Sequence, residues 1–491
     1  MSATKSLKQQ GAKGVFWTAV QKYSVTLITF VSDIILARLL MPYDFGCIEM
    51  LAIFMLLAET IVNGGFGSAL IQKKRPTQTD YSTIFWWNLG MSFFMYVVLF
   101  FSAPLIARFY KIPILSSVLR VQGLLLFTYS FNLVQYNQLK KQLRFKSIAI
   151  ISIVTSVVSF VVTVFMAYKG FGVWSLVAKN LVVSGLGSII YWFFIKWRPS
   201  WVFSWQSFKE LFGFGFYMFL SHLVTRFSLK LQGLLIGKVY NPSTMGYYSK
   251  ASGTESHAST TISQILDQVT YPLYAEAQDN LQRLGNIVKK LAMSLSYITF
   301  PLMFVLLLVA KPMFVLLYSE KWLPSVPYFQ VLCIAGLAHC LQSVNFQTIS
   351  AIGKSKVTFV WTMIKRGVGI ACIVGGLALF GMKGILAGAV FNAYFAYFVN
   401  MGLVSKHIGY KWYRQLLDLF PVLAASVICA LLSYACGRFL HLNLYLDGIV
   451  KILVYAIVYL GWSFIFKPEA FNYFNSMIVP LLSKLMFKNK R

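Results

Sequence analysis

Long apolar stretches recur almost without interruption from Val15 to Phe466, and they constrain the fold of this chain more than any other feature. The hydrocarbon core of a bilayer is about 30 Å thick, so a helix that crosses it needs about 20 apolar residues. Soluble domains carry about 25% charged residues, whereas only 12% of these 491 residues are charged and 58% are hydrophobic. The sequence predicts an all-α polytopic membrane protein with about fourteen transmembrane helices.

The predicted spans follow one another with short connecting loops. They cover residues 15–38, 46–69, 81–106, 115–138, 147–168, 172–195, 211–239, 246–272, 290–317, 325–352, 356–380, 384–405, 415–439 and 446–466. The first span is too long for a signal peptide and lacks a small-residue cleavage site, so we expect it to stay as a helix.

Basic residues concentrate in alternate loops. The chain has 44 Lys and Arg against 14 Asp and Glu, a net charge of +30. The basic loops and tail lie at residues 73–75, 140–146, 196–209, 283–290, 354–356, 406–414 and 484–491. This positive-inside bias predicts that both termini are cytoplasmic and that the loops contact anionic headgroups of the phospholipid membrane. It argues against a nucleic-acid partner.

The chain repeats itself with an offset of 200 residues. The segment 35–42 lies over 235–242, and Gly46 lies over Gly246, with a basic residue, a proline and a glycine in register. We interpret each proline as the end of one helix and each glycine as a permissive turn residue before the next. Weaker similarities join span 4 with span 10 and span 6 with span 12.

Repeats that lie six spans apart have the same membrane orientation and form a pseudo-two-fold pair with the substrate path between them. The sequence therefore predicts two related six-helix bundles with two additional helices. The predicted parts are a cytoplasmic N-terminus (1–14), an N-terminal bundle (15–200), a C-terminal bundle (201–410), two further transmembrane helices (411–470) and a basic cytoplasmic tail (471–491). This arrangement is typical of a transporter.

Ionisable residues inside the spans mark the predicted substrate path. Insertion of each one into the bilayer centre costs about 2.5–3.5 kcal/mol of free energy, so such residues are expected to face a wet cavity or a partner. His222, Arg226 and Lys230 follow an i, i+4, i+8 spacing, which places them on one helical face. Span 1 has a similar polar face, and span 8 is rich in Ser and Thr. The predicted substrate-binding residues are Lys22, Lys179, His222, Arg226, Lys230, Lys250, His257 and Arg366; the predicted ion-coupling residues are Asp33, Glu49 and Glu59.

Cations outnumber acids within the spans, so we expect spans 1, 2, 7 and 8 to enclose a wet cationic cavity that favours an anionic substrate. One alternative is that Arg226 and Lys230 pair with Asp33 or Glu59 and simply hold helices together. Another is that residues near span ends, such as Lys250, extend to the headgroups. The six cysteines lie in or beside apolar spans and fit small buried residues better than a metal site or disulfides.

Several local motifs resemble the Wzx-type polysaccharide flippases of the multidrug/oligosaccharidyl-lipid/polysaccharide exporter superfamily, and most of all the colanic acid exporter (WzxC-like) branch. The motifs lie at residues 11–17, 35–40, 45–46, 64–72, 212–215, 235–237, 245–248 and 271–274. The resemblance implies a fold like that of the multidrug and toxin exporters (MATE/MOP-like). Family members often have an Asp where this chain has Gln232, which leaves that position without an implied coupling role.

The resemblance also implies a bacterial inner-membrane flippase for an undecaprenyl-diphosphate-linked oligosaccharide. The diphosphate would supply the anion, with Arg226 and Lys230 as its main contacts. Polymerase and chain-length proteins would act next. No cofactor is implied beyond coupling to H⁺ or Na⁺. The alternatives are a cation-coupled multidrug exporter, whose cavity should be acidic, and a membrane-embedded glycosyl- or acyltransferase, which would need a catalytic constellation beside a long loop. No Walker A motif is present.

Overall fold

The computed structural model describes residues 2–440 and 442–476, without the side chains of 2–12, 214, 217, 218, 221, 222, 229, 260–273, 275 and 355. Every regular element within this part of the chain is helical. The first eight helices are α1 (Ser2–Leu39), α2 (Pro42–Asn63), α3 (Phe66–Gln72), α4 (Gln78–Tyr110), α5 (Ile114–Gln122), α6 (Leu125–Lys141), α7 (Phe145–Tyr168) and α8 (Val173–Phe194). The others are α9 (Trp205–Val239), α10 (Pro242–Ala277), α11 (Leu281–Leu308), α12 (Ala310–Tyr318), α13 (Ser325–Ala351), α14 (Ser355–Ile408), α15 (Trp412–Phe439) and α16 (Leu444–Phe466), with a 3₁₀ turn at Glu320–Trp322.

Within the described residues, 11 helical stretches are long and apolar enough to cross a membrane. One of them contains Gly381, whose φ of 60° and ψ of −135° divide α14 into arms 355–380 and 382–408. Only glycine adopts such a conformation readily. The arms correspond to predicted spans 11 and 12. The all-α polytopic fold is confirmed. The total of about fourteen spans stays a prediction, because α9 and α10, which cover predicted spans 7 and 8, are not among these stretches.

The chain divides into two compact units, Met1–Ser249 (unit 1) and Lys250–Arg491 (unit 2). In unit 1, α1 packs against α7, α7 against α8, and α2 against α9. In unit 2, α13 packs against α14, while α11 packs against α13 and α15. The boundary at residue 200 that the repeat suggests concerns sequence similarity rather than packing, and it stays a prediction.

The 200-residue repeat produces a reciprocal contact in unit 1. A Cβ atom on Gly46 would collide with the carbonyl of Pro242, and one on Gly246 would collide with the carbonyl of Pro42. Equivalent helix starts therefore cross through equivalent residues, as a local pseudo-two-fold axis requires. The interpretation of the glycines as turn residues is wrong, because both lie inside helices. Pro42 occupies the first helical turn of α2, where its missing N–H leaves no hydrogen bond unmade.

Predicted span 2 is broken into two helices. Gly64 and Gly65 have φ angles of 50° and 77°, and they separate α2 from α3. A Cβ atom on Gly65 would overlap the backbone of Gly215 in α9. The two glycine-rich motifs of the family resemblance thus lie directly against each other. The break also brings Phe66 into the core around Phe208, with the ring centroids 5.7 Å apart.

Candidate functional site

A polar cavity of about 410 Å³ opens within unit 1 among α2, α3, α6 and α9. Its lining combines amide, hydroxyl and phenol groups with one acid and one base. The lining residues are Glu59, Thr60, Asn63, Gly65, Gly67, Ser68, Tyr129, Asn132, Leu133, Tyr136, Asn137, Phe219 and Arg226. A cavity of this size and polarity at membrane depth can accept a sugar-sized polar group.

Glu59 and Arg226 are the charged residues of this lining, and each was predicted from the sequence. Glu59 comes from α2 and Arg226 from α9, and their opposite charges lie close enough to interact. Both charges also act on the phenol of Tyr129. A paired acid and base keep the cavity polar without a net charge, and they supply hydrogen-bond donors and acceptors together.

One whole face of the cavity comes from α6, which the sequence analysis did not single out. Tyr129, Asn132, Tyr136 and Asn137 occur at i, i+3, i+7 and i+8, the spacing of one helical face. The amide of Asn132 donates to the Ser188 hydroxyl at 3.2 Å, which holds its orientation. The same periodicity is visible in the sequence, but a search restricted to ionisable residues passes over it.

The position of α9 is set by its close approach to α2 and α3. Gly233 and Gly237 of α9 pack closely against α2. A Cβ atom on Gly237 would be 2.7 Å from the Met50 side chain of α2. Seven residues, or about two helical turns, separate Phe219 from Arg226, so both point to the side of α9 that faces the cavity. The glycines of α9 therefore bring the Arg226 guanidinium to the cavity wall.

A cluster of ions fixes the loop between α3 and α4. Lys73 contacts Asp80 at 3.1 Å and Glu210, in the first turns of α9, at 2.9 Å. Partial burial lowers the pKa of Lys73, but the hydrogen bonds that its ammonium donates to Glu210 and Asp80 outweigh this effect and hold the pKa above its usual value. Lys73 belongs to one of the basic loops that predict the membrane orientation. In the structure its ion pairs also connect the end of α3 with α4 and α9.

The other predicted acids of unit 1 also face predicted cations. Lys230 contacts Glu49 at 2.8 Å, and both side chains are about one-third exposed. The charges of Lys179 and Asp33 interact between α8 and α1. Together with Glu59 and Arg226, each predicted ion-coupling acid has a predicted substrate-binding cation as a partner. The interpretation of these cations as a contact between helices therefore fits the structure of unit 1.

The remaining predicted residues are not among the described residues that line this cavity. Lys22 is half-buried on α1, and the side chain of His222 lies outside the described residues. Lys250 is only 5% exposed, with its ammonium 5.0 Å from the Tyr318 ring centroid and 5.1 Å from that of Trp322. The Lys250 ammonium is thus held against these two rings, and the alternative that it extends to the headgroups stays a prediction. His257 is exposed.

Unit 2 contains a second polar cavity of about 350 Å³ between α13 and the two arms of α14. Its lining residues are His339, Gln342, Ser343, Phe346, Thr362, Lys365, Arg366, Asn392, Ala393 and Ala396. Lys365 is 8% exposed and donates to the Asn400 side-chain oxygen at 2.7 Å. None of these lining residues is acidic, so the predicted residue Arg366 lies in a cavity with a surplus of positive charge.

Unit 1 has a charge-balanced cavity that is rich in amides and phenols, and unit 2 has a cationic one. The predicted central cavity enclosed by spans 1, 2, 7 and 8 stays a prediction.

Known sequences decide the family. The family profile described as "Polysaccharide biosynthesis protein" matches residues 35–327, more than half of the chain. The chain belongs to this family. The teichuronic acid biosynthesis protein TuaB of Bacillus subtilis (strain 168) is 27% identical over 413 residues, which is 83% of each protein. The lipopolysaccharide biosynthesis protein WzxC of Escherichia coli (strain K12) is 23% identical over 443 residues, or 88% of each.

Solved structures show the same fold for this polysaccharide biosynthesis protein. The lipid II flippase MurJ in an inward closed conformation superposes with a TM-score of 0.71 at 14% identity, over 92% of this chain and 98% of that chain. An inward-facing multidrug resistance transporter of the MATE family superposes with a TM-score of 0.62 at 14% identity, over 78% of this chain and 94% of that chain. The predicted resemblance to polysaccharide flippases is confirmed. Family and fold together make this chain a multi-pass membrane protein of the polysaccharide biosynthesis family.

Proposed function

We propose that this chain moves an undecaprenyl-diphosphate-linked oligosaccharide repeat unit from the inner to the outer leaflet of the bacterial cytoplasmic membrane. The unit 1 cavity is the observation that carries the proposal. Its amides, phenols and the Glu59–Arg226 pair offer both donors and acceptors, which is what the hydroxyl groups of a sugar require. The faces of Tyr129 and Tyr136 add the apolar surface that a sugar ring can cover.

The unit 2 cavity supports an anionic group on the same substrate. Lys365 and Arg366 supply two positive charges, and none of the residues lining that cavity is acidic. A guanidinium binds a carboxylate or a phosphate through two parallel hydrogen bonds. A uronic acid of the repeat unit or the diphosphate of the carrier would each satisfy these cations. The anion contact that the sequence assigned to Arg226 and Lys230 fits Lys365 and Arg366 better, because the former two face carboxylates.

The proposal includes an alternating-access cycle driven by H⁺ or Na⁺ and places both termini in the cytoplasm. Polymerase and chain-length proteins of the same pathway would receive the substrate on the outer side. The names of relatives support a polysaccharide substrate, since TuaB and WzxC are named for teichuronic acid and lipopolysaccharide biosynthesis. The fold alone would also allow multidrug export, but the family match favours the glycan.

Loss of the Arg226 charge tests the unit 1 cavity. In a strain whose surface glycan depends on this chain, we expect Arg226→Ala to abolish the glycan, because Glu59 then faces the cavity without its partner. Arg226→Lys should keep part of the export, since it retains the charge and loses the bidentate geometry. Arg283→Ala, at an exposed ion pair with Glu276, serves as the control and should export normally. Normal export by an inserted Arg226→Ala protein would contradict the assignment.

The unit 2 cavity is tested by Lys365→Met and Arg366→Gln, each made alone. We expect both variants to reduce export of an acidic glycan at least tenfold and to affect a neutral glycan less. Equal effects on acidic and neutral glycans would show that these cations support the fold rather than contact an anion.

A further inference from the structure

Glu255 is a buried carboxyl group that the proposed binding cavities do not use. It lies on α10 within unit 2 and is only 5% exposed. Its Oε1 atom is enclosed and has no hydrogen-bond partner among the described residues. Its carboxyl group shares a hydrogen bond with Ser259, one helical turn further along α10. The sequence analysis did not single out Glu255, because the polar spacing of span 8 drew attention to cations and amides.

Among the described residues, the groups placed against this carboxyl are a glycine, a thioether and a hydroxyl. On α13, Gly336 leaves room for it: a Cβ atom there would be 2.7 Å from Oε1 and 3.0 Å from the Met303 sulfur of α11. The other titratable group near it on α13 is Cys333, a buried free thiol.

The neighbouring basic residues of α10 are Lys250 and His257, and neither is among the groups that act on the Glu255 carboxyl. The Lys250 ammonium lies over two aromatic rings, and His257 is exposed. Among the ion pairs of the described residues, none includes Glu255.

An ionised carboxylate in such a place has no counter-ion among the described residues, and its hydrogen bond with Ser259 leaves Oε1 without a partner. Burial of a charge without a counter-ion is strongly unfavourable, so the group takes up a proton instead. A neutral carboxylic acid can donate its proton to a neighbouring hydroxyl and can rest against glycine and thioether groups without penalty. Burial without a counter-ion among the described residues therefore indicates that Glu255 is protonated in this conformation.

We propose that Glu255 is the proton-binding site that couples transport to the proton gradient. In the conformation described here it holds a proton. In a conformation that admits water to α10 it releases that proton, so that each cycle moves one proton between a carboxylate oxygen and water. A group that binds a proton in one conformation and releases it in another biases the equilibrium between them. This inference rests on the proposed transport function, which it extends by naming the coupling ion and its residue.

The protonation state of Glu255 can be measured without any substrate. Infrared spectra of the purified protein in liposomes should show, at neutral pH, the carbonyl stretch of a protonated carboxylic acid. We expect Glu255→Gln to lose this component and Glu255→Asp to shift it. Glu276→Gln is the matched control, because Glu276 lies exposed on the same helix, and it should leave the band unchanged. A band unaffected by both Glu255 variants would overturn the proposal.

Coupling is measured separately, through surface glycan export with the transmembrane pH gradient intact or collapsed by an ionophore. The wild type should lose most of its export when the gradient is collapsed, whereas Glu255→Gln should export at the same reduced rate in both conditions. Retention of full gradient dependence by Glu255→Gln would overturn the coupling role even if the infrared band were present. A wild type that exports no glycan would contradict the proposed function alone, since the infrared result does not depend on it.

Discussion

Ionisable residues at membrane depth divide into three kinds in this structure. Paired residues, such as Glu49 and Lys230, neutralise each other between helices. Cations with polar or aromatic partners, such as Lys365, keep their charge available to a cavity. A third kind is represented by Glu255, which is buried away from the ion pairs of the described residues. The environment of each group thus distinguishes the ion pairs between helices from the cations and the carboxyl group that we propose as anion-binding and proton-binding sites.

The Glu49–Lys230 pair makes a direct prediction about stability. A double-mutant cycle with Glu49→Gln and Lys230→Met should give a coupling free energy of about 1 kcal/mol, because both side chains are partly exposed and partly screened. The measurement is thermal unfolding in detergent, followed by a thiol-reactive dye that labels the six free cysteines as they become accessible. Strictly additive effects of the two substitutions would show that the ion pair contributes nothing.

Helix crossings in unit 1 depend on glycine at two equivalent positions. Gly46 in α2 and Gly246 in α10 each lie against the proline carbonyl that starts the other helix. Neither position has space for a methyl group without movement of the backbone. The crossing thereby fixes the start of α10 relative to α2, the helix that carries Glu49 and Glu59 to their partners.

Alanine at these glycines tests the crossing. We expect Gly46→Ala and Gly246→Ala to destabilise the protein by similar amounts, about 1–3 kcal/mol each, because each methyl group forces the two helices apart. Gly90→Ala is the control, since no atom lies within 4 Å of a Cβ atom at this site in α4, and it should be neutral or slightly stabilising. Equal stability of all three variants would rule out a tight crossing.

Sequence reasoning succeeded for elements whose signal is local. Apolar length predicted most helices, and the repeat at Pro42 and Pro242 predicted two equivalent breaks between helices. It failed where a tertiary contact decides the outcome. The break at Gly64 and Gly65 follows from the approach of α9, and the pairing of Lys230 with Glu49 depends on how α2 and α9 face each other. Such partners lie far apart in the chain, so no local pattern indicates which acid meets which cation.

At the scale of the whole molecule, the distribution of charge carries information that the packing does not. The basic loops predict an even number of spans with both termini in the cytoplasm. Fusions of alkaline phosphatase and green fluorescent protein to successive loops would measure this directly. We expect fluorescence and no phosphatase activity for fusions after Lys356 and at the C-terminus, and the reverse after Lys169. Phosphatase activity at the C-terminus would contradict the predicted orientation.

Reconstitution into liposomes measures whether this chain carries a lipid-linked oligosaccharide across a bilayer. Purified protein would be placed in liposomes that contain the lipid-linked repeat unit in both leaflets, and a membrane-impermeant oxidant would then modify every exposed sugar. With the wild type, we expect the whole pool to become accessible, whereas liposomes with Arg226→Ala protein or without protein keep about half of it protected. Protection of the inner pool in the presence of folded wild-type protein, with or without a pH gradient, would show that the chain does not move this lipid.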